Sequence, residues 1–191
     1  MEYNNTNCNE KITLWTSQSK IVLDTLNEKG VYHVKKDFIL NKYEDVSHIF
    51  LEAYNYFISK AKDIVPIPEG SEYPIWLFTD LRYVDKHEDN YILKIKVDRN
   101  KVILFDMEKW NRILNLSYIP ENQEDARKHA ELLEKYGINN ETDVYLKSYY
   151  PHLKLKVRSS WDRLFDENIV LSPYKQAALW EIRKEWVVIV E

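Results

Sequence analysis

Residues 12–31 read Ile-Thr-Leu-Trp-Thr-Ser-Gln-Ser-Lys-Ile-Val-Leu-Asp-Thr-Leu-Asn-Glu-Lys-Gly-Val, and the rest of the chain is read outward from them. Ile12 and Leu14 alternate with Thr13 and Trp15, the period of a strand with one buried face. Thr16, Ser17 and Gln18 follow as a polar turn. Ser17 or Ser19 then suits a helix cap, because a serine oxygen accepts the orphan amide protons of a first helical turn. Val22, Leu23 and Leu26 give that helix an apolar side, and Gly30 fits the left-handed residue that stops it. The polar cluster thus falls where a strand's carboxyl end meets a helix's amino end. Outward-pointing amides and the helix dipole attract anions there. It reads either as a phosphate or nucleotide site or as a helix start that is simply well capped.

Downstream, residues 31–40 carry Tyr32, Val34, Phe38 and Ile39 and predict a short strand and a connection. Residues 45–62 are the clearest helix, with Val46, Ile49, Phe50, Ala53, Tyr54, Phe57, Ile58 and Ala61 on one face. Pro66 and Pro68 end it. Residues 73–79 predict a strand whose end carries Asp80, Arg82 and Tyr83; strand ends are common places for sites, and a structural Arg-Asp pair explains them equally well. Residues 91–97 and 102–105 flank a turn at Asp98, Arg99 and Asn100 and predict a hairpin. Asp106 suits the cap of a short helix carrying Trp110, Ile113 and Leu114. Residues 121–136 predict a second amphipathic helix, with Ala126, Ala130, Leu133 and Tyr136 in register and Gly137 as its stop. Val144, Tyr145 and Leu146 suit a short strand. Ser159 or Ser160 suits the cap of a brief helix holding Trp161, Leu164 and Phe165. Two strand-like runs, 176–182 and 186–190, close the chain.

At 191 residues, with 45% apolar and 30% charged residues, the chain is long enough and apolar enough for a real core. Residues 1–10 read as a flexible tail and residues 11–191 as one globular domain. With 3 glycines, a glycine-rich phosphate loop is excluded. The single cysteine, Cys8, excludes an internal disulfide and a cysteine-rich zinc site, and suits a reducing compartment. No signal peptide and no apolar run near the ~20 residues of a membrane span is present, so a cytoplasmic location is expected. The five histidines show no metal-ligand spacing, so no metal is expected. Strands separated unevenly by helices predict an α+β fold. The net charge of −4 gives no global pull toward nucleic acid. The segment 147–158 nevertheless interleaves Lys147, Lys154, Lys156 and Arg158 with Tyr149, Tyr150 and His152. It reads either as a nucleic-acid surface or as the guarded face of an exposed strand. Glu181 has a similar ambiguity, since it would share a strand face with Ala177 and Leu179, and a carboxylate there needs water or a partner.

Three segments together carry a resemblance: Leu14-Trp15-Thr16-Ser17-Gln18-Ser19, Asp80-Leu81-Arg82 after Pro74-Ile75-Trp76, and Gln176-Ala177-Ala178-Leu179-Trp180-Glu181-Ile182-Arg183. They resemble a bacterial family known only as a domain of unknown function, over nearly the whole chain from Ile12. More distantly, the strand, Thr-Ser, helix and Gly of residues 14–30 are similar to the opening of ADP-ribosyltransferase-like domains, especially DNA-modifying toxins and small NAD-using relatives. Residues 91–106 resemble their middle hairpin, and Gln176-Ala177-Ala178-Leu179 resembles the segment that carries their catalytic glutamate. The chain departs from them with Leu14 at the usual histidine and Ala178 at the usual glutamate. Glu181 lies three positions further on, which on a regular strand reverses the face and moves the carboxylate ~10 Å.

This likeness implies a single domain of two small, mostly antiparallel sheets around a cleft, with flanking helices. It implies binding of NAD, as a substrate, or of another nucleotide-like molecule. ADP-ribose would pass to a nucleic acid or protein acceptor, or the fold would serve as an inactive binding or regulatory module. In such a site Thr16 and Gln18 would hydrogen-bond the ligand, and Trp15 or Trp180 would stack on a ring. Arg82 would take a phosphate, with Tyr83 and Gln176 beside the ligand. Glu181 or Glu185 would stabilise the charge developing at the ribose.

Overall fold

The computed structural model describes residues 10–43, 47–147 and 149–190, so the Cys8 tail and the start of the 45–62 helix, with Asp45 and Val46, lie outside the described residues. Strand β1 (Lys11–Ser19) is more than twice the length predicted for it. It pairs antiparallel along its whole length with β4 (Asn90–Asp98), from Lys11 opposite Asp98 to Ser19 opposite Asn90. Thr16, Ser17 and Gln18 therefore belong to the strand and not to a turn. The period-two alternation continues through them: Leu14 and Thr16 are buried against the same face as Leu93 and Ile95. Thr16 can be buried because its hydroxyl donates to the Trp76 carbonyl at 3.0 Å and accepts from Gln18 Nε2 at 2.8 Å.

Helix α1 (Lys20–Lys29) begins directly where β1 ends, and Ser19 makes no capping bond. It buries Val22 and Leu26 and stops at Gly30, whose φ of 74° is the left-handed conformation that glycine adopts without a Cβ clash. β2 (Val31–Tyr32) follows and pairs with β7 (Ile182–Arg183) in a two-stranded sheet. Helix α2 (Lys36–Tyr43) occupies the segment predicted as a connection. Helix α3 (Ser47–Ala61) buries Ala53, Tyr54, Phe57 and Ala61, while Phe50 is half-buried.

The larger sheet has the order β5-β6-β3-β1-β4-β8, with β3 at Ile75–Phe78, β5 at Ile103–Asp106, β6 at Lys175–Leu179 and β8 at Val187–Val190. The fold is α+β, with one six-stranded sheet and one two-stranded sheet in place of two small ones. The predicted hairpin of residues 91–105 does not form: β4 lies between β1 and β8, and β5 pairs with β6 instead. A strand is free to take a distant partner when its own neighbour's edges are already filled.

The chain divides into two compact units, residues 1–36, 58–103 and 177–191, and residues 37–57 and 104–176. The first holds β1, β3, β4, β8 and the β2–β7 sheet. The second is mostly helical, with α4 (Met107–Leu114), α5 (Gln123–Lys135), α6 (Thr142–Leu146) and α7 (Pro151–Ser160). Its helices correct three expectations. Residues 144–146 form a helix, not a strand. α7 begins at Pro151 and ends at Ser160; the brief helix expected after it is present as a 3₁₀ helix, Trp161–Phe165, with Ser160 at its start, but no serine side chain caps it. On α5 the buried position is His129, while Ala130 and Tyr136 are exposed. Gly137 does close α5, with φ 67° and its amide bonded to the Glu134 carbonyl.

Asp106 caps α4 through Glu108 N and Lys109 N, and its other oxygen accepts from Leu171 N and Ser172 N at 2.9 and 2.8 Å. Lys109 Nζ, fully buried, donates to the carbonyls of Arg163 and Asp166, and burial pushes its pKa down. Phe57 packs its ring within 5.1–5.5 Å of those of Phe105, Trp110 and Phe165. Removing it leaves a large void in a dense aromatic cluster. Phe57→Ala should lower the free energy of unfolding by about 3–5 kcal/mol, and Phe50→Ala by clearly less. Urea denaturation of the two variants checks this; equal losses would contradict the difference in burial.

Candidate functional site

The first unit contains a groove of about 480 Å³, lined by Lys29, Gly30, Val31, His33, Pro68, Glu69, Glu181, Arg183 and Glu185. Val31 and Arg183, opposite each other in the β2–β7 ladder, both line it, and the ladder is extended by Lys184 N donating to the Gly30 carbonyl at 2.9 Å. The left-handed turn at Gly30 is what lets the chain leave α1 and enter β2 beside these residues. One residue past β2 stands His33; a Cβ on Gly70 would approach its ring to 3.3 Å, so the absence of a side chain there makes room for the imidazole.

Glu181 reaches this groove because the terminal strand is broken. Residues 176–182 are not one strand: β6 ends at Leu179, and β7 starts in the other sheet at Ile182. Trp180 and Glu181 form the corner. Trp180 is 3% exposed, with its Nε1 donating to the Val65 carbonyl at 2.7 Å and its own carbonyl accepting from Ser71 Oγ at 2.7 Å. The alternation argument for Glu181 fails for this reason. Faces alternate only along continuous strand, and the corner turns the carboxylate away from Ala177 and Leu179.

The Glu181 carboxylate is largely buried and held on both oxygens. His33 Nε2 lies 3.1 Å from Oε2, and Arg183 Nε donates to Oε1 at 2.7 Å. Burial alone would raise its pKa; the hydrogen bonds and charges of Arg183 and His33 outweigh burial and hold it below the ordinary glutamate range. Glu181 in turn raises the Arg183 pKa. Among the described residues the terminal guanidinium nitrogens of Arg183 make no hydrogen bond. Glu69 and Glu185 add carboxylates to the lining and Lys29 adds a cation. The arrangement supplies an ionised, water-poor carboxylate beside fork-shaped and single-point cations.

Of the residues picked from sequence, Glu181 and Glu185 line this groove and the others do not. Trp15 lies on β1 with Lys94 Nζ 5.0 Å from its ring centre. Thr16 and Gln18 bond to each other within the sheet. Arg82 sits in a 3₁₀ turn, Leu81–Tyr83, with a 76% exposed side chain bonded twice to Asp80. Tyr83 is in the same turn. Gln176 is buried and belongs to the second unit, and Trp180 is interior packing. Sequence reading missed His33, Arg183 and Lys29. The spacing Glu181-x-Arg183 was an available signal, because residues two apart on an extended segment share a side.

Among the described residues no group of three or more His, Cys, Asp or Glu is placed to hold a metal ion, and no helix is long and apolar enough to cross a membrane. These features define an α+β protein with a polar groove built on its smaller sheet. The chain belongs to the family described as Domain of unknown function (DUF3841), whose model matches residues 13–188. No curated protein and no solved structure matches it.

The lowered pKa of Glu181 makes a pH prediction. A group whose folded pKa lies below its unfolded value stabilises the fold above the unfolded value, about 4.3 for glutamate, and loses that contribution as pH falls through the folded one. Glu181→Gln should therefore be less stable than wild type at neutral pH, with the gap closing in acid solution. Thermal melting across the acid range checks this, and a gap independent of pH would mean the charge contributes nothing.

Proposed function

We propose that the groove binds a nucleotide of the NAD class and that the protein is ADP-ribosyltransferase-like. The observation that carries this reading is Glu181, a carboxylate kept ionised in a mostly buried position at a groove. A fixed negative charge in a water-poor site is what an electron-deficient ribosyl carbon requires. The volume of about 480 Å³ falls within the range of pockets that take ligands of this size. Arg183, with Lys29, supplies donors for a diphosphate, the role expected of Arg82 from sequence.

In the reaction so assigned, the bond between ribose C1′ and the nicotinamide nitrogen breaks, and its electron pair leaves with neutral nicotinamide. Positive charge develops on C1′ and the ring oxygen opposite the Glu181 carboxylate. An acceptor hydroxyl or amine then adds to C1′ and releases a proton. Glu181 is not consumed. His33 and Arg183 keep it deprotonated and oriented.

A second reading is favoured by the fact that both Glu181 oxygens already have protein partners. A carboxylate so occupied also suits a module that holds a ligand without turning it over. Calorimetry with NAD and ADP-ribose, paired with a nicotinamide-release assay, separates the two. Arg183→Ala should weaken binding about ten- to a hundredfold, the loss of one charge-assisted interaction. Glu181→Gln should keep affinity within a few-fold and lose turnover, since the charge matters mainly in the transition state. Binding without nicotinamide release in wild type would select the module. No binding of either ligand would remove the nucleotide reading altogether.

A further inference from the structure

The second unit carries a surface unrelated to the groove. Tyr149 is 78% exposed and Leu155 65%, and Tyr136 and Leu146 are also exposed. Tyr136, at the end of α5, has the ring of Tyr150 at 5.6 Å and that of His152 at 5.4 Å. Four ring-bearing residues, Tyr136, Tyr149, Tyr150 and His152, are thus gathered around the start of α7. The same stretch is basic. Residues 147–158 hold Lys147, Lys154, Lys156 and Arg158 and no acidic residue, in a protein whose net charge is −4. Positive charge is therefore concentrated along this stretch of sequence, with Asp143 paired to Lys147 and Glu52 3.7 Å from Arg158 at its margins.

The bland account of these lysines needs an exposed strand to guard, and the segment is a helix. Within it the cations divide by role. Arg158 lies over the rings of Tyr56 and Trp161, and Lys156 over Tyr118, so both are engaged in packing. Lys147 and Lys154 are exposed; Lys147 pairs with Asp143 at a solvent-accessible contact that salt screens, and Lys154 lies 4.5 Å from the centre of the Tyr145 ring.

We propose that this face, centred on Tyr149 and Lys154, binds single-stranded nucleic acid. Exposed rings offer stacking to unpaired bases, whatever their identity, and neighbouring lysines meet the phosphates between them. A protein partner of ordinary composition would use the rings and leucines, whereas a polyanion with flat rings of its own also engages the exposed Lys147 and Lys154. Duplex DNA has its bases already stacked and would use only the lysines.

The test is fluorescence anisotropy of the full chain with a labelled oligothymidylate of about 16 nucleotides, within the span such surfaces cover. Binding should weaken steeply between about 50 and 200 mM salt. Tyr149→Ala should weaken it about tenfold or more through lost stacking, and Lys154→Glu by a comparable factor with a shallower salt dependence. Both sites are exposed, so melting temperatures should match wild type, and a variant that melts early is replaced by Tyr149→Ser or Lys154→Gln. A duplex of the same length should bind more weakly. Arg183→Ala should bind the oligonucleotide as wild type does, which keeps this outcome separate from that of the groove. No binding by wild type at low salt, binding unchanged in both variants, or affinity indifferent to salt would each overturn the proposal, the last pointing to an apolar protein-docking face.

Discussion

The first unit depends on the antiparallel ladder between β1 and β4, nine residue pairs from Lys11–Asp98 to Ser19–Asn90. A ladder of that length fixes register through every side chain it buries, since a slip of one residue would exchange Leu14, Thr16, Leu93 and Ile95 for their outward neighbours. It also fixes where α1 starts. The strand runs to Ser19 and the helix begins at Lys20, so the ten residues of α1 deliver Gly30 to the beginning of β2. The left-handed turn there passes the chain to Tyr32 and His33. The groove is thus positioned by a ladder that contributes none of its lining.

In the second unit a comparable role falls to Asp106. One buried carboxylate receives four backbone amides, two from the first turn of α4 and two from residues 171 and 172. Each amide would otherwise lack an acceptor in a region where water is scarce. Around it, Lys109 satisfies two loop carbonyls, and the Phe57 cluster supplies the apolar burial. The arrangement joins elements far apart in sequence without a regular hydrogen-bonded ladder.

Features that depend on a few neighbouring residues were legible in the sequence. Gly30 and Gly137 as helix stops, Asp106 as a cap and the buried side of α3 all follow from local geometry. Partnering was not legible, because nothing in residues 91–105 reveals that both edges of β4 are filled from elsewhere. The α7 segment misled for a simpler reason. Lysines two apart fit a strand, but Pro151 at a first helical position and the four-residue spacing of Leu153 and Val157 fit a helix, and the latter pattern governs burial. Glu181 was visible as a carboxylate in need of a partner. Its setting was not, because the corner at Trp180 is held by Val65 and Ser71, residues more than 100 positions away.

The two-stranded sheet beneath the groove has only two residue pairs. Ladders that short open with far less free energy than the whole domain. Its opening would draw β2, and His33 with it, away from Glu181, while Arg183 stays beside the carboxylate on its own segment. Breathing of the smallest sheet would in this way change the lining of the groove, because His33 travels with β2 and Arg183 with β7.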